Sequence, residues 1–192
     1  MTTSASALKL RRFGKGLGIA TKVLSIISFV VAGILLVSLI FALVVPWDTV
    51  VMNVGEVTVN VHGMVTQLTD QASTDVNVRA IALSAISLGI IDGVFFGFIM
   101  GILSRLFKDT AAHETPFLST NVRRLKSVGW LLIANSFAMG IATAIVEVLT
   151  HPVTSAFDTG NGGYLITGLV IFALAYVFQY GCELQQAADE TL

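Results

Sequence analysis

Asp92 is the residue whose type and position in this sequence point most directly to chemistry. It interrupts an apolar run near its middle, where a carboxylate costs about 2.5–3.5 kcal/mol on insertion scales. Asn135 interrupts the next apolar run, and antiparallel helices would bring the two depths within about 3 Å. A structural hydrogen bond is one interpretation and a proton or ion site is another. A shallow helix that leaves Asp92 in water is the third.

The other reactive side chains form no catalytic or metal-binding pattern. His62, His113 and His151 are scattered, and no zinc-ligand spacing occurs. Glu147 and His151 are four residues apart, which favours a surface ion pair over a metal site. The sequence contains no nucleophile motif, no paired carboxylates and no phosphate-binding loop. We therefore expect a protein that is not an enzyme and that needs no cofactor or metal.

Four apolar runs must position these residues, and each is close to the 20 or so residues that cross a bilayer as a helix. Apolar residues make up 55% of the chain and charged residues 12%, against roughly 25% charged in soluble domains. A net charge of −1 indicates no direct nucleic-acid binding. We predict one all-α membrane domain, residues 1–192, with four transmembrane helices in an antiparallel bundle. The predicted spans are residues 20–45, 80–103, 128–149 and 163–180.

The basic residues indicate how these spans cross the membrane. Ten of the eleven Lys and Arg residues precede or enter the first run or lie between the second and third; Arg79 is the exception. Positive loops stay cytoplasmic during insertion. We therefore expect a multi-pass protein of the inner (plasma) membrane with both termini in the cytoplasm.

The connection between the first two spans contains a strand-like segment. Residues 57–61 alternate apolar and polar side chains, which is the period of a strand. Residues 53–56 before them can turn a short β-hairpin. The alternative is an irregular loop on the membrane surface.

Small residues recur every four positions along the second run. Because a four-residue repeat drifts slowly around a helix, they form one face. Small side chains let another backbone approach closely, and in lipid this contact substitutes for a hydrophobic driving force. The partner is either a neighbouring span of the same chain or a second copy in a homo-oligomer. The stripe consists of Ala85, Gly89, Gly93, Gly97 and Gly101.

A polar and aromatic group of residues, which we call the inner platform, lies on the predicted cytoplasmic side. If the third and fourth helices are neighbours, its arginines can meet Glu183 and Asp189 of the tail. Opposite charges there either hold the platform together or accept a partner. The inner platform comprises Pro116, Phe117, Asn121, Arg123, Arg124 and Glu183.

Two segments of this region carry a family resemblance. Residues 116–125 are similar to a PF-x-x-x-N-x-x-x-L signature, and residues 178–184 to an F-x-x-G-x-x-L ending before an acidic tail. Together they resemble the bacterial membrane family catalogued as domain of unknown function 2975. The resemblance implies a four-span protein of about this length, with no established activity. It also implies a small helix-turn-helix regulator, encoded beside family members, as a partner.

These observations favour one function and keep a second open. We expect a binding or signalling membrane protein whose cytoplasmic face contacts a regulator. The alternative is a small transporter or channel that uses Asp92 and Asn135. The lipid bilayer and a second copy of the chain are the other expected partners.

The charge pattern makes a testable prediction about topology. In a chain whose Cys182 is replaced by serine, a single cysteine at Thr66 or Thr159 should react with an impermeant thiol reagent on intact cells. A cysteine at Thr110 or Ala188 should react only after lysis, because these positions would face the cytoplasm. Labelling with the opposite pattern would refute the charge argument.

Overall fold

The fold consists of four long helices and one small sheet. The computed structural model describes residues 3–44, 58–61, 64–67, 78–113, 118–150 and 161–190. The helices are α1 (Thr3–Val44), α2 (Val78–His113), α3 (Ser119–Thr150) and α4 (Asn161–Glu190). The strands are β1 (Thr58–Val61) and β2 (Met64–Gln67).

Each helix contains a segment long and apolar enough to cross a membrane, so the chain is a multi-pass membrane protein. The helices extend beyond the predicted spans because the apolar runs mark only the part suited to lipid. Once a helix exists, each added residue contributes a hydrogen bond, so polar flanking residues continue it. The four segments are Arg12–Val44, Ala82–His113, Ser119–Ile145 and Gly162–Ala188.

The strands pair in the connection between α1 and α2. Thr58 lies opposite Gln67 and Val61 opposite Met64, in antiparallel register. β1 falls within the alternating segment 57–61, and its partner follows it in the sequence. Two residues separate the strands, the commonest loop length of a hairpin. The turn suggested at 53–56 lies outside the described residues.

Helices that follow one another in the chain pack together and run in opposite directions. The start of α1 lies beside the end of α2, the end of α2 beside the start of α3, and the start of α3 beside the end of α4. We call this end of the molecule the basic end. Among the side chains that the structure describes there, the exposed basic ones are Arg12, Lys15, Lys22, Arg105, Lys108 and Arg123.

One stripe of α1 is covered by α2, and most of its other side chains are exposed. The stripe alternates steps of four and three residues, the spacing of a left-handed helix pair. Most of its members are small, so the two backbones can approach closely. The large apolar side chains on the other faces, such as Ile34 and Phe41, are 60% and 68% exposed and suit lipid. The stripe consists of Gly14, Gly18, Thr21, Ser25, Ser28, Ala32, Leu35, Leu39 and Ala42, all buried or half-buried.

The glycine stripe of α2 faces this stripe of α1, and we call their contact the glycine seam. A Cβ atom placed on Gly97 would lie 3.0 Å from the Phe29 ring, and one on Gly93 would lie 3.4 Å from the Cβ of Ala32. The Ser25 hydroxyl donates a hydrogen bond to the Gly97 carbonyl over 2.7 Å. A neighbouring span of the same chain therefore covers the stripe, and no second copy is needed for that purpose.

A second close approach joins α3 and α4. A Cβ atom on Gly168 would lie 2.9 Å from Cγ1 of Ile133 and 3.1 Å from the carbonyl oxygen of Gly129. Beside it, Trp130 and Phe172 make an edge-to-face contact with ring centroids 5.5 Å apart. Glycine at both crossing positions brings the backbones together, and the aromatic pair flanks the crossing.

The glycine seam predicts the effect of a bulky substitution. Gly97→Leu should lower the free energy of unfolding in detergent by about 1–3 kcal/mol, because the new side chain must displace the Phe29 ring that packs on Gly97 in the seam. Gly33→Leu is the matched control: it lies on α1, with no atom within 4 Å of an added Cβ. The measurement is the thermal unfolding midpoint of each purified variant. Equal losses at both positions would contradict close packing at Gly97.

Candidate functional site

A buried polar pair lies deep between α2 and α3. The side-chain amide of Asn135 donates a hydrogen bond to Oδ1 of Asp92 over 3.1 Å. Asp92 is 7% exposed and Asn135 is 2% exposed. The two residues lie at similar depths within their predicted spans, which predicts this contact. The antiparallel packing of α2 and α3 produces it. The third interpretation, a shallow Asp92 in water, is wrong.

A tyrosine from α4 completes the site. The Tyr164 hydroxyl donates a hydrogen bond to the same Asp92 oxygen over 3.2 Å. The sequence does not mark Tyr164 as part of this site, because a tyrosine at the edge of an apolar run is typical of the membrane interface. In the structure, α4 packs on α3 close enough to α2 for the hydroxyl to reach inward. The carboxylate thus links three helices, and we call these three residues the Asp92 site.

The Asp92 site includes a hydrogen-bond acceptor that the described residues leave unsatisfied. Oδ1 of Asn135 is buried and has no hydrogen-bond partner among the residues that the structure describes. A buried acceptor left in this way normally costs about 1–3 kcal/mol, so a proton donor or cation there would be stabilised. Within the described ranges, no three His, Cys, Asp or Glu side chains cluster as a metal site. The arrangement suits a structural junction or a site for a proton or small cation.

At the basic end, the inner platform is organised differently from the prediction. Nη1 of Arg124 lies 2.6 Å from Oδ2 of Asp109 on α2. The Asn121 amide, 2% exposed, donates a hydrogen bond to the Thr110 hydroxyl over 3.1 Å. The expected contact of Arg124 with Glu183 is therefore wrong. The first turns of α3 pack on the end of α2, so these side chains reach α2.

A different residue of α3 faces α4. The Lys126 ammonium donates a hydrogen bond to Oε1 of Gln179 over 3.0 Å and lies 5.1 Å from the centroid of the Tyr176 ring. Lys126 is two positions beyond Arg124, which corresponds to about 200° around a helix. One face of α3 therefore presents Arg124 to α2, and the other presents Lys126 to α4. The sequence by itself does not distinguish these two faces.

The remaining members of the inner platform are not brought together. Arg123 is exposed on α3, and Glu183 is exposed on α4, where the Gln179 amide donates to it over 3.4 Å. Pro116 and Phe117 lie outside the described residues, and so does the side chain of Asp189. Among the described residues, the predicted platform therefore divides into an α2–α3 contact and a separate α4 surface.

The side chains at the end of α4 are exposed. Every side chain at positions 183–188 and at position 190 is exposed. This segment is polar and acidic, with Leu184 as an apolar residue that is 54% exposed. We call residues 183–190 the α4 extension. Its first six residues are also the end of the candidate membrane segment Gly162–Ala188.

Comparison with known protein families agrees with this architecture. A family model described as "Protein of unknown function (DUF2975)" matches residues 66–192. The chain belongs to this family. In this DUF2975 protein the match includes α2, α3 and α4, with the Asp92 site and the α4 extension, and α1 precedes it. No curated protein and no solved structure matches the chain.

The hydrogen bonds of the Asp92 site make a prediction. Asp92→Asn should leave the unfolding midpoint in detergent nearly unchanged, because an amide oxygen still accepts from Asn135 and Tyr164. Asp92→Ala should lower stability by about 1–3 kcal/mol, since both donors lose their buried acceptor. Tyr164→Phe, which removes only the 3.2 Å bond, should cost about 0.6 kcal/mol. If Asp92→Asn is as harmful as Asp92→Ala, the negative charge itself supports the fold.

Proposed function

We propose that this DUF2975 protein is a binding or signalling protein of the bacterial inner membrane, and that its cytoplasmic end contacts a regulatory protein. The four helices would form an antiparallel bundle in the bilayer, with both termini in the cytoplasm. The concentration of exposed lysine and arginine at the basic end supports this orientation. The protein would act by binding and would catalyse no reaction.

The α4 extension is the observation that carries this proposal. A short helical segment gains little stability by itself, and this one has every described side chain from 183 to 190 exposed. Continuity with a membrane span keeps it helical at the membrane surface. Its polar face and Leu184 give a partner both charge and an apolar contact.

The charge of the α4 extension supports a partner of a particular kind. Glu183 and Glu190 are exposed, and among the described residues they accept hydrogen bonds from the neutral amides of Gln179 and Gln186. These carboxylates can therefore attract a basic surface. A helix-turn-helix regulator carries such a surface because it binds DNA phosphates. We propose that the extension competes with DNA for that surface and holds the regulator at the membrane.

The Asp92 site supports a second candidate function. A carboxylate deep in a membrane span is typical of proton and ion pathways. Oδ1 of Asn135, which has no partner in the described part of the chain, would add a second oxygen ligand. A small transporter or channel would use these groups for a proton or monovalent cation. Flux in proteoliposomes that is abolished by Asp92→Asn, in a protein that still folds, would favour this function over the first.

The partner hypothesis is tested by affinity purification in mild detergent, with mass spectrometry of the bound proteins. We expect a helix-turn-helix protein to co-purify with the wild type and to be lost from the Glu183→Lys/Glu190→Lys variant. The Glu183→Gln/Glu190→Gln variant should retain it in part, because repulsion is then absent. Raising the salt from 0.1 to 1 M should also release it, since exposed charges are screened over about 3 Å at 1 M.

Two results would contradict this hypothesis. One is retention of the same protein by the charge-reversed variant. The other is a lower unfolding midpoint of that variant, which would show that the carboxylates stabilise the fold. Arg123→Glu is a useful control, because this exposed side chain lies on α3 and not on the α4 extension.

A further inference from the structure

The basic side chains at the basic end differ in whether the protein itself neutralises them. Arg124 is paired with Asp109, and Lys126 contacts Gln179 and the Tyr176 ring. Within the described part of the chain, the exposed basic residues of α1 and α2 make no such contact. Orientation in the membrane requires only that positive charge lie on one side. It does not require that several cations share a surface and lack counter-charges.

Four of these cations lie at matching levels on the two helices of the glycine seam. The Ser104 hydroxyl donates to the Gly18 carbonyl over 2.6 Å, which aligns this part of α2 with α1. Arg105 follows Ser104, and Lys22 is one turn beyond Gly18. An added Cβ on Gly18 would lie 3.0 Å from Cγ of Lys108. The set consists of Lys15, Lys22, Arg105 and Lys108.

Helical geometry places these cations on one flank of the seam. Around the axis of α1, Lys15 and Lys22 lie about 90° from the stripe that faces α2. Around the axis of α2, Arg105 lies about 90° from the glycine stripe that faces α1, and both rotations follow the direction of increasing residue number. Seen from the basic end, the chain runs away from the viewer in α1 and toward the viewer in α2. Equal rotations from the two facing stripes therefore fall on the same side of the helix pair. Lys108 lies between them, beside the seam. We call this surface the seam flank.

The surroundings of the seam flank limit what can neutralise it. α3 packs on the side of α2 away from α1, as the Asp92 contact shows. The nearest carboxylate in the sequence of α2 is Asp109, one turn after Arg105, and it is bound to Arg124. Lys22 and Arg105 lie inside the segments Arg12–Val44 and Ala82–His113, near their ends. At this depth a cation meets the phosphates of lipid headgroups.

We propose that the seam flank binds the headgroup phosphate of an anionic phospholipid. Lys15, Lys22, Arg105 and Lys108 would contact the phosphate oxygens. The acyl chains would lie along the apolar side chains that continue this flank one heptad further into the spans, where Phe29 and Phe98 are 40% and 53% exposed. A lipid held in this way bridges α1 and α2 and so stabilises the glycine seam. The site is independent of the proposed partner and of the direction in which the helices cross the membrane.

The test uses the full-length protein, delipidated in mild detergent. Phosphatidylglycerol and phosphatidylcholine with the same acyl chains are titrated in turn, and the thermal unfolding midpoint is measured. We expect phosphatidylglycerol to raise the midpoint at lower concentrations than phosphatidylcholine. In Lys22→Gln/Arg105→Gln, the concentration of phosphatidylglycerol needed for half the effect should rise about tenfold or more.

The matched control also removes two exposed cations from the basic end. Arg12 lies about 160° from the α2-facing stripe of α1, on its far side, and Arg123 is on α3. Arg12→Gln/Arg123→Gln should therefore respond to phosphatidylglycerol as the wild type does. Equal loss of response in both double variants would overturn the site and leave only a diffuse charge effect. An equal rise of the unfolding midpoint with inorganic phosphate would also overturn the assignment to a lipid.

A second measurement covers the case in which the Lys22→Gln/Arg105→Gln variant fails to insert. The wild type is placed in nanodiscs containing equal amounts of the two lipids, and its retained lipids are identified by native mass spectrometry. We expect phosphatidylglycerol to be retained several-fold more often. Equal retention of the two lipids would contradict the proposal.

Discussion

The close approach of α1 and α2 at the glycine seam is the constraint on which the arrangement of this protein depends. Lipid is as apolar as leucine, so a membrane helix gains nothing from merely hiding apolar side chains. Association must come from van der Waals contact and hydrogen bonds at short range. The seam supplies both: small residues on each helix, and hydroxyls of Ser25 and Ser104 that donate to carbonyls of the opposite helix. Most large apolar side chains of α1 face outward, so little else attaches it.

The seam also determines which side chains of α2 can meet α3 and α4. Because the stripe faces α1, Asp92 lies on another face of the helix, among protein side chains instead of lipid. Asn135 and Tyr164 reach it from two further helices. At the basic end the same geometry directs Arg124 to α2 and leaves the cations of the seam flank without a partner among the described residues. One packing contact thus separates a buried polar site from an exposed basic surface.

Sequence alone predicted the features that depend on composition and period. Apolar run length predicts four spans, and the structure has four helices suited to them. The depth of Asp92 and Asn135 predicts their hydrogen bond. The four-residue repeat of glycine in α2 predicts a protein-facing stripe, because in lipid such a face is useful only for close packing. These properties are fixed by helix geometry and by the cost of polar groups in lipid.

Tertiary structure decided which residues meet. The stripe of α1 was missed because its steps alternate between four and three and include leucine and threonine, so no single repeat marks it. Tyr164 was missed because an interfacial tyrosine and an inward-facing one look alike in sequence. The pairing of Arg124 with Asp109, and not with Glu183, depends on the rotation of α3 about its axis. Packing with neighbouring helices sets that rotation, and spacing along one helix does not specify it.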